Sequence, residues 1–235
     1  PTRGGPNCPK PETTVARDVD FGAQPIIAKN SKGKDIILAG QKAGTVWALD
    51  PDNNGEVIWR TGIGEGSPLG GIHWGIAFDG KQVFAPINRP YGFRPSPNLD
   101  ESLKPGMYTL DVDTGDILWR YNPEPDCSED RKERMRGCLN NIGFSGAPTI
   151  IDGAIVTGSL DGFLRAIDRN SGKLLWQFDT AQAFKTINKI DGKGGSIDNA
   201  SIVAANGYLF VNSGYGMFGQ APGNVMLAFK IKSKK

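Results

Sequence analysis

The chain has 235 residues, and its 27 basic and 25 acidic side chains give a formal net charge of +2. The basic residues are scattered except for the terminal KIKSKK, so nucleic acid is not indicated as a partner, and no apolar run approaches the ~20 residues of a membrane span. The 32 glycines and 16 prolines favour many short strands joined by tight turns.

Residues 1–17 are predicted to be an N-terminal extension that precedes the folded part. They contain Cys8, the odd one of three cysteines, and an odd cysteine in an exported protein is a candidate for intermolecular pairing. The chain starts at Pro1 without an initiator Met or a hydrophobic leader. We therefore expect a processed product whose beginning was removed.

Residues 18–64 and 65–123 are predicted to form the first two units of β-structure. The first unit contains IILAG, TVWALD and EVIWRTG, which are short runs rich in Val, Ile and Trp separated by KAG and PDNNG. The second unit contains the nonrepeated stretch GGIHWG, where two glycines allow close approach of backbone. There His73 and Trp74 offer a hydrogen-bond donor and a flat ring to a planar ligand, or else serve as structural residues.

Residues 124–139 are predicted to be a loop insertion closed by a disulfide. Cys127 and Cys138 bracket PDCSEDRKERMRGCLNN, a charged segment with few apolar residues that a bridge would hold in place. A bridge indicates an oxidising compartment, whereas two reduced thiols in a cytosolic loop remain the alternative. One His and no CxxC pair give no indication of a zinc or haem site.

Residues 140–181 and 194–232 are predicted to form two further units. They contain AIVTG, FLRAID and KLLWQFD, then YLFVNSG and VMLAFKI. The one candidate for a helical turn is DTAQAFKT.

The four units repeat at a step of roughly 60 residues. The Asp that ends an apolar strand recurs as Asp50, Asp111 and Asp168, and Trp59, Trp119 and Trp176 keep the same step. This pattern predicts an all-β propeller of about four four-stranded antiparallel blades, with the three tryptophans in the core between blades. Four blades can close by themselves or form half of a larger ring.

The repeat resembles that of the quinoprotein alcohol dehydrogenases, which bind pyrroloquinoline quinone (PQQ) on the axis of an eight-bladed propeller. TGSLDGFLRAIDRNSGKLLWQFDTA carries this likeness, and GSPLGGIHWGIAFDG, GKGGSIDNA and NSGYGMFGQAPGNVMLAF resemble the polyvinyl alcohol dehydrogenase branch. The resemblance implies the C-terminal half of such a propeller. It also implies a periplasmic or secreted enzyme that oxidises a secondary or polymeric alcohol by hydride transfer to PQQ.

The resemblance carries over three residues with defined roles. Asp20 would be the catalytic base that removes the hydroxyl proton, with Asp18 as the fallback. Lys42 would lie over the quinone oxygens and stabilise the charge that develops there, and Asn88 would hydrogen-bond the cofactor. The alternatives are a strand-start Asp, an exposed hairpin lysine and a loop-start Asn.

Further candidates for cofactor contact are His73, Trp74 and Asn141, with Phe144 as the alternative to Asn141. The stacking Trp, the vicinal Cys pair and the Glu and Asn that hold calcium in the family belong to the first half of the propeller. We therefore expect no metal ligand here and Ca²⁺ binding mainly through a separate N-terminal half. The N-terminal half would be one partner, linked through Cys8. A cytochrome or another electron acceptor would be a second partner.

Two other functions fit the same repeat. One is a noncatalytic PQQ-like repeat propeller that acts as an envelope or extracellular scaffold. The other is a four-bladed binding domain that is complete in itself.

Overall fold

The structure is a computed structural model that describes residues 19–89, 102–135, 138 and 142–230. Cys8, Asp18 and Asn141 lie outside the described residues. Four antiparallel sheets follow one another along the described chain, and the third and fourth are separated by a two-stranded hairpin.

The first two sheets are built from the following strands. The first sheet has the order β1-β2-β3-β4 and contains β1 (Ile26–Lys29), β2 (Asp35–Gln41), β3 (Thr45–Asp50) and β4 (Glu56–Gly62). The second contains β5 (Ala77–Phe78), β6 (Gln82–Arg89), β7 (Gly106–Asp111) and β8 (Ile117–Tyr121), and β9 (Ile142–Gly143) also pairs with β6. The short helix α1 (Glu129–Arg134) lies between β8 and β9.

The remaining strands complete the β-structure of the described chain. The third sheet contains β10 (Thr149–Ile151), β11 (Ala154–Gly158), β12 (Phe163–Asp168) and β13 (Leu174–Asp179). The hairpin is β14 (Ala183–Lys185) and β15 (Asp191–Lys193), and the fourth sheet contains β16 (Ile202–Ala205), β17 (Tyr208–Ser213) and β18 (Val225–Lys230). DTAQAFKT therefore forms no helical turn, because it joins the end of β13 to β14.

The repeated Asp closes the hairpin between the third and fourth strands of a sheet. The Asp111 carboxylate accepts hydrogen bonds from the backbone N–H groups of Asp113 and Thr114, at 2.8 and 3.0 Å. Gly115 then adopts φ +75° and donates its N–H to the Asp111 carbonyl. A side chain that caps its own turn, followed by a glycine in the left-handed region, explains why Asp and Gly recur together.

Two of the three repeated tryptophans donate a hydrogen bond to the hairpin of the next sheet. Trp59 is buried and donates its indole N–H to the Val112 carbonyl of the second sheet's hairpin, at 2.9 Å. Trp119 donates in the same way to the Arg169 carbonyl of the third sheet's hairpin, at 3.1 Å. The predicted packing between blades is confirmed for these two. For Trp176 the predicted core position is wrong, because the residue is 39% exposed and meets Phe229 of the fourth sheet only edge-on.

The core consists of apolar clusters that each join two successive sheets. The first cluster brings Leu38 and Val46 against Val83 and Tyr108. The second joins the second and third sheets, and the third packs the third sheet against the fourth. Sheets that bury their faces against the next sheet along the chain are propeller blades, so the predicted all-β propeller is confirmed.

The predicted disulfide between Cys127 and Cys138 is present, with a Cα–Cα distance of 5.7 Å. Cys138 packs with Met135, Ala181 and Ala221, so the loop is also held by an apolar contact with the blades. Helix α1 inside this loop was not predicted. Within the described residues, no helix has the length and apolar character that a bilayer crossing requires.

Candidate functional site

The candidate residues lie at one end of the sheets, which we call the upper face. In a four-stranded antiparallel sheet, the segment that enters the first strand and the hairpin between the second and third strands lie at the same end. Asp20 precedes β1, Lys42 lies in the β2–β3 hairpin, and Asn88 lies at the end of β6. The topology therefore brings residues distant in sequence to one surface.

Asp20 and Lys42 form an ion pair on this face. The Lys42 ammonium lies 3.0 Å from the Asp20 carboxylate, and the Lys42 backbone N–H donates to the Asp20 carbonyl at 2.9 Å. Lys42 is only 7% exposed, whereas the Asp20 side chain is 64% exposed. The pair therefore places a buried cation behind a carboxylate that solvent or a ligand can reach.

Two glycines permit the backbone to close around Lys42. A Cβ atom at Gly22 would lie 2.9 Å from the His73 carbonyl oxygen and 3.4 Å from Lys42 Cε. A Cβ atom at Gly71, whose φ is +71°, would collide with the Lys42 backbone. Asp20, Lys42 and His73 are thus contiguous because neither glycine carries a side chain.

Asn88 continues this cluster and carries a buried amide with no hydrogen-bond partner. Its backbone pairs with Gly71 through hydrogen bonds of 3.3 and 3.4 Å in the two directions. The residue is 1% exposed, yet within the part of the chain that the structure describes neither Nδ2 nor Oδ1 has a hydrogen-bond partner. An unsatisfied buried amide costs free energy, and a group that both accepts and donates a hydrogen bond would recover that cost.

His73 and Trp74 form the neighbouring wall. Their ring centroids lie 4.7 Å apart, and the Trp74 ring meets Tyr215 of the β17–β18 hairpin edge-on at 6.1 Å. The indole N–H of Trp74 donates to Asp198 at 2.6 Å. Trp74 can therefore offer a ligand its ring but not its N–H group.

Of the six predicted residues, Asp20 pairs with Lys42, and the rings of His73 and Trp74 pack together. Gly22 lies between Lys42 and His73, and Gly71 lies between the backbones of Lys42 and Asn88. Asn141 is not described. Its alternative, Phe144, is fully buried and packs in the core with Tyr121 at 6.0 Å. Phe144 is therefore a core residue.

Sequence reasoning missed Asp198, Ser145 and Gln220, whose side chains meet on the same face. Each lies in a segment outside the repeat, GKGGSIDNA, NNIGFSG and GYGMFGQAP, and this departure from the repeat was the available signal. Among the described residues, no group of His, Cys, Asp and Glu is arranged to hold a metal ion.

The cluster combines a reachable carboxylate, a buried cation, an unsatisfied amide and aromatic rings. A carboxylate can accept a proton from a hydroxyl group, and a cation and an amide can hold a ligand rich in carbonyl and carboxylate oxygens. PQQ is planar and carries such oxygens. The residues present therefore fit that cofactor on one side.

Comparison with known proteins gives matches along most of the chain. Residues 42–191 match the model of a PQQ-repeat family described as outer membrane protein assembly factor BamB. The polyvinylalcohol dehydrogenase of Sphingopyxis sp. (strain 113P3) is 36% identical over 97% of this chain, and that of a Pseudomonas sp. is 34% identical over the same share. The chain spans 35% of the length of each of these relatives.

A solved structure shows the same fold. The quinohemoprotein alcohol dehydrogenase ADHIIG from Pseudomonas putida HK5 superposes with a TM-score of 0.54 over 85% of this chain and 29% of that chain. Its sequence identity is 16%, so the likeness concerns the fold alone.

Proposed function

Because the chain belongs to the PQQ-repeat family of β-propellers, we propose that it forms part of a quinoprotein alcohol dehydrogenase. The proposed reaction is the oxidation of a secondary or polymeric alcohol, as the names of the two polyvinylalcohol dehydrogenases indicate for those relatives. Residues 18–64, 65–123, 140–181 and 194–232 would be four successive blades. Residues 1–17 and 124–139 would be an extension and an insertion.

The observation that carries this proposal is the buried amide of Asn88, which has no hydrogen-bond partner among the described residues. If Asn88 had a purely structural role, its amide would carry the free-energy cost of burial without a compensating hydrogen bond. It lies beside the Lys42–Asp20 pair, with Gly71 between them. A ligand with several oxygens would satisfy the amide and add to the contacts of the Lys42 cation, which already pairs with Asp20.

Each residue has a distinct role in the proposed reaction. When bound, PQQ accepts a hydride from the carbon that bears the hydroxyl group. Asp20 removes the hydroxyl proton with its exposed carboxylate, which the Lys42 ammonium holds at 3.0 Å. Lys42 and Asn88 orient the ligand, and their burial excludes water from the positive charge. His73 and Trp74 form the wall beside the ligand.

Further blades would complete the ring. The first sheet leaves Ile27 and Val57 exposed on the face turned away from the second sheet, and the fourth leaves Val203, Tyr208 and Met226 exposed on its outer face. Apolar end faces of this kind require cover, and the relatives are about three times as long. We propose that an N-terminal half covers these faces, holds Ca²⁺ and pairs with Cys8.

The proposed location is the periplasm or the cell exterior. The Cys127–Cys138 disulfide supports it, because such bridges persist in oxidising compartments. A cytochrome or another acceptor would then take electrons from the reduced quinone.

The family description also favours a second function, a noncatalytic scaffold in the cell envelope. A scaffold would bind no quinone. The exposed end faces disfavour a four-bladed domain complete in itself.

Quinone binding separates the two functions. We would titrate PQQ into the complete propeller and measure dye-linked alcohol oxidation. Both measurements would compare the unsubstituted protein with Asp20→Asn and Lys42→Gln. The control is Lys34→Gln, because Lys34 pairs with Asp50 at the opposite end of the sheet. Lys42→Gln should weaken binding. Asp20→Asn should keep binding and lower turnover by about a hundredfold or more. Absence of PQQ binding by the unsubstituted propeller would reject the enzyme and favour the scaffold.

A further inference from the structure

Asp198 joins three blades on the upper face. It lies in the segment that enters β16, and the residue is 1% exposed. Its Oδ1 accepts hydrogen bonds from Trp74 Nε1 at 2.6 Å and from Ser145 Oγ at 2.5 Å. Its Oδ2 accepts one from Gln220 Nε2 at 2.6 Å. These donors belong to segments next to the second, third and fourth sheets.

The polarity of this network is fixed. The Gln220 amide cannot turn over without loss, because its Oε1 already accepts the Phe218 backbone N–H at 2.8 Å. The Trp74 indole can only donate. Trp74 and Gln220 are therefore fixed as donors, and the Ser145 hydroxyl, which could donate or accept, donates here. A group that accepts on both of its oxygens fits among them. Within the described part of the chain, no ion pair joins Asp198 to a cation, so its position rests on these neutral donors.

The hydrogen bonds of Asp198 determine the orientation of the Trp74 ring. Because the indole N–H is held by Asp198, rotation of the ring would break a charge-assisted hydrogen bond. The Trp74 ring packs on the His73 ring, with 4.7 Å between their centroids. His73 in turn lies next to Gly22, which also borders Lys42. Asp198 is thus connected to the proposed quinone site through two rings, without contact to Lys42 or Asn88 in the described structure.

We propose that Asp198 is the positioning residue of this site: its carboxylate fixes the Trp74 indole, and with it His73, at the orientation in which they form the wall beside the quinone. The inference rests on the proposed function for the identity of the ligand. The contact between Asp198 and Trp74 can be tested without any ligand.

The test uses an exchange of polarity between Asp198 and Gln220. Asp198→Ala removes the acceptor. Asp198→Asn keeps the shape but turns an N–H₂ group towards the Gln220 N–H₂ group. In the double variant Asp198→Asn/Gln220→Glu, the new amide donates to the new carboxylate, which still accepts the Phe218 N–H. The oxygen of that amide remains available to accept from Trp74 and Ser145.

A matched control is Ser196→Ala. Ser196 is also buried in this segment, and its hydroxyl bonds the Leu160 carbonyl and the Ala221 N–H, so it anchors the same loop without contact to Trp74. A general loosening of the loop would appear in this variant as well.

Two readouts are measured. The first is the indole N–H resonance of Trp74 in protein labelled with ¹⁵N-tryptophan, assigned with Trp74→Phe, while the other four tryptophans report on the overall fold. The second is the affinity for PQQ in the complete propeller. Asp198→Ala should shift the Trp74 resonance and weaken PQQ binding about tenfold or more. Ser196→Ala should leave both nearly unchanged, and the double variant should recover most of what Asp198→Asn loses.

The outcomes are distinct. A Trp74 resonance that does not move in Asp198→Ala would overturn the contact, and a resonance that moves without a change in PQQ affinity would overturn the positioning role. Failure of the double variant to recover the affinity lost in Asp198→Asn would also count against it. If the unsubstituted propeller binds no PQQ, the proposed function fails and the quinone role fails with it, whereas the resonance still decides whether Asp198 orients Trp74.

Discussion

The indole nitrogen of Trp59 donates a hydrogen bond to the backbone carbonyl of Val112, 2.9 Å away, and thereby ties the first sheet to the second. The partners are separated by 53 residues, and Trp119 repeats the contact with Arg169 at a separation of 50. The repeated tryptophan thus supplies both apolar area and one directional bond to the next hairpin. These contacts explain why Trp and the Asp-Gly hairpin recur at the same step.

Trp59→Phe should destabilise the chain by about 1–2 kcal/mol, because a smaller aromatic ring remains while the Val112 carbonyl loses its donor. The measurement is the free energy of unfolding in urea. Trp47→Phe is the control, since the Trp47 indole bonds the side chain of Gln41 in its own sheet. Equal losses in the two variants would contradict a special role for the contact between sheets.

Gly115→Ala should destabilise more than Gly55→Ala, although both glycines occupy the same turn position. Their φ angles are +75° and +76°, so the backbone strain is matched. A Cβ at Gly115 would lie 2.6 Å from the Trp59 ring, whereas one at Gly55 would meet nothing within 4 Å. The loss of unfolding free energy in Gly115→Ala should exceed that in Gly55→Ala by about 1–3 kcal/mol, which is the usual cost of overpacking. Urea unfolding of both variants measures the two losses. If the two losses are the same, Trp59 is not packed on this hairpin.

The sequence was sufficient to predict the sheets because each repeat contains its own strands and turns. Alternating buried residues, the Asp that caps the turn and the following Gly act within a few residues, as Asp111 and Gly115 show. The resemblance named Lys42 and Asn88, but the repeat itself gave no sign that the Asn88 amide would be buried with no hydrogen-bond partner in the described ranges.

The contacts that were missed join segments outside the repeat. Trp74 and Asp198 lie 124 residues apart, and no local pattern pairs them. Helix α1 is also absent from the repeat, and its position depends on Arg131, which packs over the Phe163 ring at 4.1 Å. Such long-range contacts depend on where the loops lie relative to one another in the folded propeller. That arrangement cannot be predicted from a single sequence.

Asn88→Leu should increase stability and weaken ligand binding. The unsatisfied buried amide is replaced by an apolar group of similar size, so we expect a gain of about 1 kcal/mol in urea unfolding. PQQ affinity, measured by titration of the complete propeller, should fall about tenfold. Asn30→Leu is the opposite control, because the Asn30 side chain accepts two backbone N–H groups, and its loss should destabilise. Destabilisation by Asn88→Leu would indicate a structural role instead.

Arg131→Ala should release the charged loop from the third blade, whereas Arg134→Ala should have a small effect. The Arg131 side chain is 3% exposed and lies 2.5 Å from Asp179, while that of Arg134 is 29% exposed and lies 3.0 Å from the same carboxylate. Loss of the buried cation should cost about 2 kcal/mol or more, and loss of the other less than about 1 kcal/mol. Urea unfolding gives the free energies, and hydrogen exchange of residues 126–135 shows whether the loop opens. Equal effects of the two substitutions would contradict a special role for Arg131.

The same carboxylate should make stability depend on pH. Burial would raise the pKa of Asp179, but hydrogen bonds from Arg131 and Arg134 outweigh burial and hold this pKa below its usual value. A carboxyl group with a lowered pKa in the folded state adds stability above its unfolded pKa of about 4, and this stability is lost as the pH falls through the folded pKa.

The difference in unfolding free energy between the unsubstituted chain and Asp179→Asn should therefore be largest near pH 6 and shrink towards pH 3. Because Asp50, Asp113 and Asp168 are unchanged in both proteins, their own titration cancels in this difference. Urea unfolding at both pH values measures it, and a difference that stays constant would show that the two arginines do not stabilise the ionised carboxylate.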